Sequence, residues 1–529
     1  MRVHLLLSTL FFTLFFSQPA NALDSAAGHM VEAQPKKDIG KEVYEEYCMD
    51  CHHKDRIGIV GPPLIPAFLR KYQLKELVPK IRNGFPQTLM PSYEFLTTWE
   101  LLEVARYIKR PVKDYSWNKK EIEKSLIKFN DKPKDIGIKN IEQLLPVVER
   151  DGGYVWIMEN DKILDKFPLK NVHGGIKYQF PEAENIFIPT RDGWIMRYSL
   201  KEGRRVAKIR PCINLRNLSL SRDGKNVLAT CLLPEQMVVI NSTTLSPKKV
   251  IKLDGKVSAL YEFYSKDEMI FTYRDKPLVG IVDSKTFEVK YTKIKEPIED
   301  FFIDPFDKFL IATARGGKVL RVYDIKNLKP VFEHKMEGMP HLFSATYWYK
   351  DGNFYFATPH LRKPYITIWK MYDWAFEKQI EIGGDGFFVK THPNTPYLWI
   401  DNGSDELVLI DKNNFSMKKM TPVKGKQYIH AEFTGDGKYT YLSIYEKDGS
   451  IEVWDTKSFK KLSSYPCNIP VGKYNYINKN RQFYPRLFGL DIFNQKCKNS
   501  NEPKNCMQSL KNLNFYEKTS VEDFLKIKK

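Results

Sequence analysis

The sequence predicts a small all-α domain followed by an all-β, eight-bladed β-propeller. Three observations carry that reading. The chain has 529 residues, 42% hydrophobic and 13% aromatic, which is more than one ordinary core holds and too apolar for a disordered chain. Between residues 38 and 110 apolar residues recur at helical spacing. From about residue 149 the pattern changes to short β-rich runs parted by polar turns, and one phrase keeps returning.

The elements follow in chain order. Met1-Arg2-Val3-His4 opens a basic start, "LLLSTLFFTLFF" is an apolar run, and Ala20-Asn21-Ala22 is a small-x-small end. Residues 1–22 therefore read as a secretory signal peptide cleaved near Ala22. The apolar run is short for a membrane span. The expected location is the periplasm, where disulfides form. The formal net charge is +19, but Lys and Arg are scattered and no nucleic-acid motif is present. The charge reads as solvated surface, with no nucleic-acid partner expected.

Residues 38–110 hold three helical stretches, "GKEVYEEYCMDCHH", "YQLKELVPKIRNG" and "TTWELLEVARYIKR". The second ends at Gly84; the third starts at a Thr cap and is halted by Pro111. The first carries Cys48-Met49-Asp50-Cys51-His52-His53, the C-x-x-C-H attachment signature of a c-type haem. Two thiols add to the two vinyl groups of one porphyrin, and the adjacent His52 is carried under the iron. A zinc site needs a second ligand pair at suitable spacing, and none lies nearby. A redox pair needs a strand-to-helix context. Met90, in "TLMPSY", lies 38 residues after His52. This resembles small bacterial cytochromes c, which implies Met90 as the second axial ligand, suited to electron transfer. "GPPL" at 61–64 matches the loop that in this family lies against the proximal histidine. Residues 38–110 are thus expected to be a cytochrome c domain with one covalent haem c.

Residues 111–148 read as a Lys-rich linker and 149–487 as the propeller. Its phrases include "GWIMRYSLKEGRRVAKI", "LVGIVDSKTFEVKYTKI" and "IEVWDTKSFKKLSSY". Turns at Asn241, Asp283, Asp324, Met371, Asp411 and Asp455 stand 40 to 47 residues apart, the blade period of a propeller. Eight phrases predict eight blades. Between them, "SRDGKNVLATC", "DPFDKFLIATA", "YKDGNFYFATP" and "TGDGKYTYLSI" read as a turn followed by the inner strand. Residues 488–529 read as a C-terminal extension. Cys212 and Cys231 can pair across strands, Cys497 and Cys506 can close a small loop, and Cys467 is left over.

An exported cytochrome c fused to such a propeller resembles the cytochrome cd1 family over nearly the whole mature chain. The fragments that carry the resemblance are "NVHGGIKY" (171–178), "MPHLFSATYW" (339–348), "GGDGFFVKTHPNTPYLWID" (383–401) and "PVGKYNYINKN" (470–480). The resemblance implies a second, non-covalent tetrapyrrole, haem d1 or its dihydro precursor, at the propeller mouth. It puts His173 on the iron as proximal ligand, and Arg191 and Arg216 against the carboxylates, where bidentate pairing favours Arg over Lys. Family members that reduce nitrite use two distal histidines. Here the matching stretches, 272–280 and 295–309, hold none, and Tyr273, Arg274 and Glu299 stand there instead. "HAEF" at 430–433, before a Gly-Asp-Gly turn, looks like the biosynthetic relatives. The implied set around the reacting side chain is His341, His430 and Tyr474 or Tyr476, with His341 also able to reach the iron.

The function this implies is oxidation of dihydro-haem d1 to haem d1, the last step of its assembly in denitrification, with electrons leaving through haem c. Nitrite reduction with altered distal residues and non-catalytic carriage of haem d1 stay open beside it. Implied partners are a periplasmic electron acceptor or donor, nitrite reductase or other d1 assembly proteins, and a second copy in a homodimer.

Overall fold

The computed structural model describes residues 38–479, apart from 59–60, 70–71, 85–89, 113–116, 181–182, 264–265, 315 and 352. The expected signal peptide, Cys497, Cys506 and the expected C-terminal extension lie outside the described residues.

The helical domain contains the three expected helices, Ile39–Tyr47, Leu74–Asn83 and Thr98–Lys109, and two single-turn helices, Met49–His52 and Pro66–Leu69. Asp38 caps the first through Lys41 N, and Thr97 and Glu100 form a reciprocal box at the start of the last. First and last helices cross closely because residue 40 is glycine: a Cβ there would stand 2.4 Å from the Glu103 carbonyl oxygen. Tyr44, Leu77, Leu101, Val104 and Ile108 fill the core between the helices.

Residues 144–473 form eight antiparallel sheets in a ring. First strands of neighbouring blades lie against one another, as Asn214–Leu220 does with Val257–Glu262 and Val389–Lys390 with Tyr428–Phe433, and so face the axis. Outermost strands such as Pro330–Lys335 alternate exposed and half-buried residues. Apolar side chains fill the wedges between blades, for example Phe263, Ile270, Phe301 and Leu310. The ring is closed by Pro470–Lys473, which pairs with Leu144–Glu149 and becomes the innermost strand of the first blade.

Three expectations change. The Asp-Gly turns join the first strand of a blade to the second, so Asn226–Leu233, Asn353–Leu361 and Tyr439–Ile444 are second strands, not inner ones. Second strands are covered on both faces and read as the most continuous apolar runs, whereas the true inner strands border a polar channel. The first blade begins at Leu144, inside the expected linker; Pro146 sits in that strand and weakens its signal. Other parts of the linker are also folded. Ile127–Lys128 adds a fifth strand to the second blade against Arg204–Ile209. Ile122 is fully buried between blades, and Trp117 Nε1 donates to the Arg210 carbonyl at 2.8 Å.

Candidate active site between the helical domain and the propeller

His52 is buried, and its Nδ1 stands 2.7 Å from the Pro62 carbonyl oxygen. A carbonyl only accepts, so Nδ1 carries the proton and the Nε2 lone pair is left for a metal. Burial holds the ring below its ordinary pKa, which keeps it neutral. Gly61 packs on the ring: a Cβ would stand 2.4 Å from Cε1. Cys48 and Cys51 are free thiols. Burial pushes Cys48 up to about 12 and moves Cys51 the same way, so neither is a ready metal-binding thiolate. Among the described residues no cluster of three or more His, Cys, Asp or Glu is placed to hold a metal ion. Free thiols beside a fixed neutral histidine fit covalent haem attachment.

His52, Met90 and Tyr93 border a cavity of about 1020 Å³ that continues to the propeller axis, where His173, Arg191, Arg216, His430 and Tyr474 also line it. One space therefore joins the haem-attachment motif to most of the residues singled out in the propeller.

His173 sits in a turn that needs left-handed backbone, with φ 62° at Asn171, 94° at Gly174 and 86° at Gly175. Gly174 also permits close approach, since a Cβ there would meet the Arg216 carbonyl oxygen at 2.8 Å. Arg191 Nη2 lies 2.7 Å from His173 Nε2. An arginine only donates, so Nε2 accepts and the proton sits on Nδ1, which is buried without a hydrogen-bond partner. Burial, reinforced by Arg191, Arg216, Arg150 and Arg274, holds this ring well below its ordinary pKa. A neutral imidazole is the form that ligates iron, and its Nε2 lone pair becomes available when Arg191 turns from it to a carboxylate of the iron-bearing ring.

Those arginines form one group. Burial beside like charges lowers Arg191 to about 10 and Arg216 to about 9. Arg191 Nε is buried without a partner. Arg216 donates to the Ser258 carbonyl and lies 5.4 Å over the Phe343 ring. Arg150, which sequence reasoning missed, lines the cavity and bonds the Tyr445 hydroxyl at 3.1 Å. Clustered guanidiniums repel one another unless anions are present, so the donor set fits a polycarboxylate.

His430 lies on the innermost strand of the last blade, Tyr428–Phe433, at a bulge between Ile429 and Ala431. Its φ is 51°, a strained conformation for a non-glycine residue, of a kind that clusters at functional sites. The bulge turns the ring onto Phe388, edge to face at 4.8 Å. Nδ1 makes no hydrogen bond, and burial with Lys473, Lys390 and Lys479 nearby holds the ring well below its ordinary pKa. Lys473 Nζ donates to the His430 carbonyl at 2.7 Å from the ring-closing strand. Tyr474 lines the cavity; Tyr476 instead packs on Tyr178 in the core between the first two blades.

His341 stands apart from this wall. Its Nδ1 meets Asp300 Oδ2 at 2.8 Å and its ring packs on Phe387 at 4.3 Å, while its neighbours Leu342 and Phe343 line the cavity. In the distal region Arg274 pairs with Glu299 at 3.6 Å, and Tyr273 points its hydroxyl to Tyr291 at 3.4 Å. Besides Arg150, sequence reasoning missed Lys390, Glu432, Lys473 and Lys479. Any single Lys or Arg is surface by default in so basic a chain, and their only signal was position on or just after an inner strand. Cys212 and Cys231 are joined in a disulfide, and Cys467 is a buried free thiol.

Residues 139–479 match the Cytochrome D1 heme domain family, and residues 35–108 match the family of cbb3-type cytochrome c oxidase subunit III. The chain is 29% identical to dihydro-heme d1 dehydrogenase of Pseudomonas aeruginosa, over 84% of this chain and 95% of that protein. It is 21% identical to the nitrite reductase of Stutzerimonas stutzeri, over 88% and 96%. It is 28% identical to Protein NirF of Pseudomonas aeruginosa, over 53% and 77%. The solved structure of dihydro-heme d1 dehydrogenase NirN in complex with DHE superposes with a TM-score of 0.71 at 29% identity, covering 83% of this chain and 99% of that one. With an N-terminal cytochrome c domain ahead of a match spanning well over half its length, the chain belongs to the Cytochrome D1 heme domain family.

Proposed function

We propose that this protein is a periplasmic haem c/haem d1 oxidoreductase that oxidises a propionate side chain of dihydro-haem d1 to the acrylate of haem d1. The observation that carries the reading is the single cavity bordered by His52 and Met90 at one end and by His173, His430 and Tyr474 at the other. The similarity to dihydro-heme d1 dehydrogenase along 84% of the chain supports it. The Cys212–Cys231 disulfide suits an oxidising compartment.

In this reading Cys48, Cys51, His52 and Met90 would hold haem c, which would supply one-electron redox chemistry beside the substrate cavity. His173 is the ligand to the substrate iron, and Arg150, Arg191 and Arg216 bind substrate carboxylates. Converting –CH2–CH2–COO⁻ to –CH=CH–COO⁻ releases two protons and two electrons. His430, neutral and without a partner on Nδ1, is equipped to take a proton, and Tyr474, which lines the same cavity, can position the side chain or pass the proton on. His341, held by Asp300, stands behind the cavity wall formed by Leu342 and Phe343, where it serves as a proton relay rather than as a ligand to the iron.

Anaerobic addition of dihydro-haem d1 to the haem c-containing protein tests this. Conversion of the bound spectrum to that of haem d1, with reduction of haem c, is expected. An unchanged spectrum with fast turnover of nitrite to nitric oxide would support the nitrite reductase reading, which the His341–Asp300 pair favours as a proton source. Tight binding with neither reaction would indicate a carrier.

A further inference from the structure

A second group of cations lines the same cavity away from the arginines. Lys390 is on the innermost strand of the seventh blade, Val389–Lys390, and Lys479 follows the ring-closing strand; both border the cavity with Glu432, Asn478, His430 and Tyr474. Lys479 Nζ is 3.4 Å from Glu432 Oε2, and Asn478 Nδ2 donates to Glu432 Oε1 at 3.1 Å. Lys473 is satisfied by the His430 carbonyl and the Ser443 hydroxyl. Lys390 has no ion pair of its own among the described residues, and Lys479 and Glu432 are the charged groups that act on it most strongly. Glu432 thus faces three lysines, and the wall carries an excess of positive charge whenever the two that burial holds near neutral pH are protonated, as an arriving anion favours.

We propose that Lys390 and Lys479 form a carboxylate subsite that takes the carboxylate of the substrate side chain reacting at His430. The inference rests on the function proposed above and adds which side chain is selected. Lys479 Nζ lies 5.8 Å over the Tyr474 ring, and His430 and Glu432 are two residues apart on one strand. A carboxylate bound here therefore lies beside His430 and Tyr474, whereas the arginines hold the carboxylates on the other side of the tetrapyrrole. Glu432 tunes the site by attracting both lysines, whose own charge disfavours a metal cation. Burial and Lys479 pull Lys390 down to about 7. An arriving anion restores its ammonium form, so binding above neutral pH takes up a proton. Glu432, Lys473, Lys479, Tyr474 and His430 are the titratable groups around it.

The test uses the haem c-containing protein, with iron(III) coproporphyrin (four carboxylates) and iron(III) protoporphyrin (two) as probes. Affinity is read from absorbance titration and proton uptake from calorimetry in buffers of different ionisation enthalpy. Loss of a charge-assisted contact in Lys390→Met or Lys479→Met is expected to weaken coproporphyrin binding about tenfold or more. Protoporphyrin, whose two carboxylates the arginines can satisfy, should weaken less than about threefold. Lys390→Arg, which keeps charge and bulk, should stay within about threefold of the parent for both probes. The parent should take up a proton with coproporphyrin at pH 8, and Lys390→Met should not. Equal loss for both porphyrins, no loss for either, or no proton uptake by the parent overturns the subsite. A parent that binds neither porphyrin overturns the subsite and the proposed function together.

Discussion

Replacing Lys473 with methionine should make the protein more stable in mild acid, less stable in alkali, and a poorer catalyst throughout. Lys473 is fully buried on the ring-closing strand. Burial pulls its ammonium from 10.5 to about 7, with Glu432 and Cys467 favouring the charge and Lys390 and Lys479 opposing it. A displacement of that size corresponds to about 5 kcal/mol at about 1.4 kcal/mol per decade. The sign follows from proton counts. Below pH 7 both folded and unfolded states hold the proton, and the folded state bears the full cost of a buried charge. Between about 7 and 10.5 the unfolded chain binds the proton and the folded one does not, so stability rises with pH across that window. Methionine removes the titration. It also removes the donor to the His430 carbonyl, and leaving that group unmet costs about 1–3 kcal/mol. The variant should therefore gain about 2–4 kcal/mol at pH 6 and lose about 0–2 kcal/mol at pH 10, where about 1 kcal/mol of the titration cost still remains in the parent. Urea unfolding of both proteins at pH 6, 8 and 10 measures this. A difference of constant sign and size would refute the assignment of a buried, titrating lysine. Because the His430 bulge loses its tether, the rate of the oxidation proposed above should fall even at pH 6, where the fold gains; activity that follows stability instead would show that the tether does not matter.

Other substitutions probe the remaining parts. Gly61→Ala places a methyl 2.4 Å from the His52 ring, which the Pro62 hydrogen bond keeps from retreating. Haem c should be incorporated poorly or with an altered midpoint potential, read by redox titration. His173→Ala should abolish the tetrapyrrole's iron-ligand spectrum while leaving that of haem c unchanged, because the two sites use separate elements. Cys212→Ser removes a cross-link of sequence separation 19 and should cost about 3 kcal/mol in denaturant midpoint terms. Adding reductant should reproduce that loss in the parent protein and do nothing further to the variant.

The parts of this molecule that were legible in the sequence are those whose signal is local. C-x-x-C-H is contiguous, the Thr97–Glu100 box lies within four residues, and the blade turns recur at a countable period. Legibility fails where several blades supply one feature. Arg150, Arg191, Arg216 and Arg274 lie on or beside the first four blades, and only ring closure brings them to one imidazole. The His430 bulge has no sequence mark, because it exists through pairing with Tyr439–Ile444 and the bond from Lys473. The lysines were hardest to see. In a chain of charge +19 another lysine carries almost no information, and what sets Lys390, Lys473 and Lys479 apart is that the fold denies them water. Residue type names the chemistry a side chain can do. Burial selects which copies of a common residue do it, and in a propeller burial is fixed only when the last strand, Pro470–Lys473, pairs with the first, Leu144–Glu149. Lys473 lies on that closing strand and bonds the carbonyl of His430. The step that completes the ring is therefore also the step that assembles this side of the site, and weakening the closure should disturb His430 before it unfolds the blades.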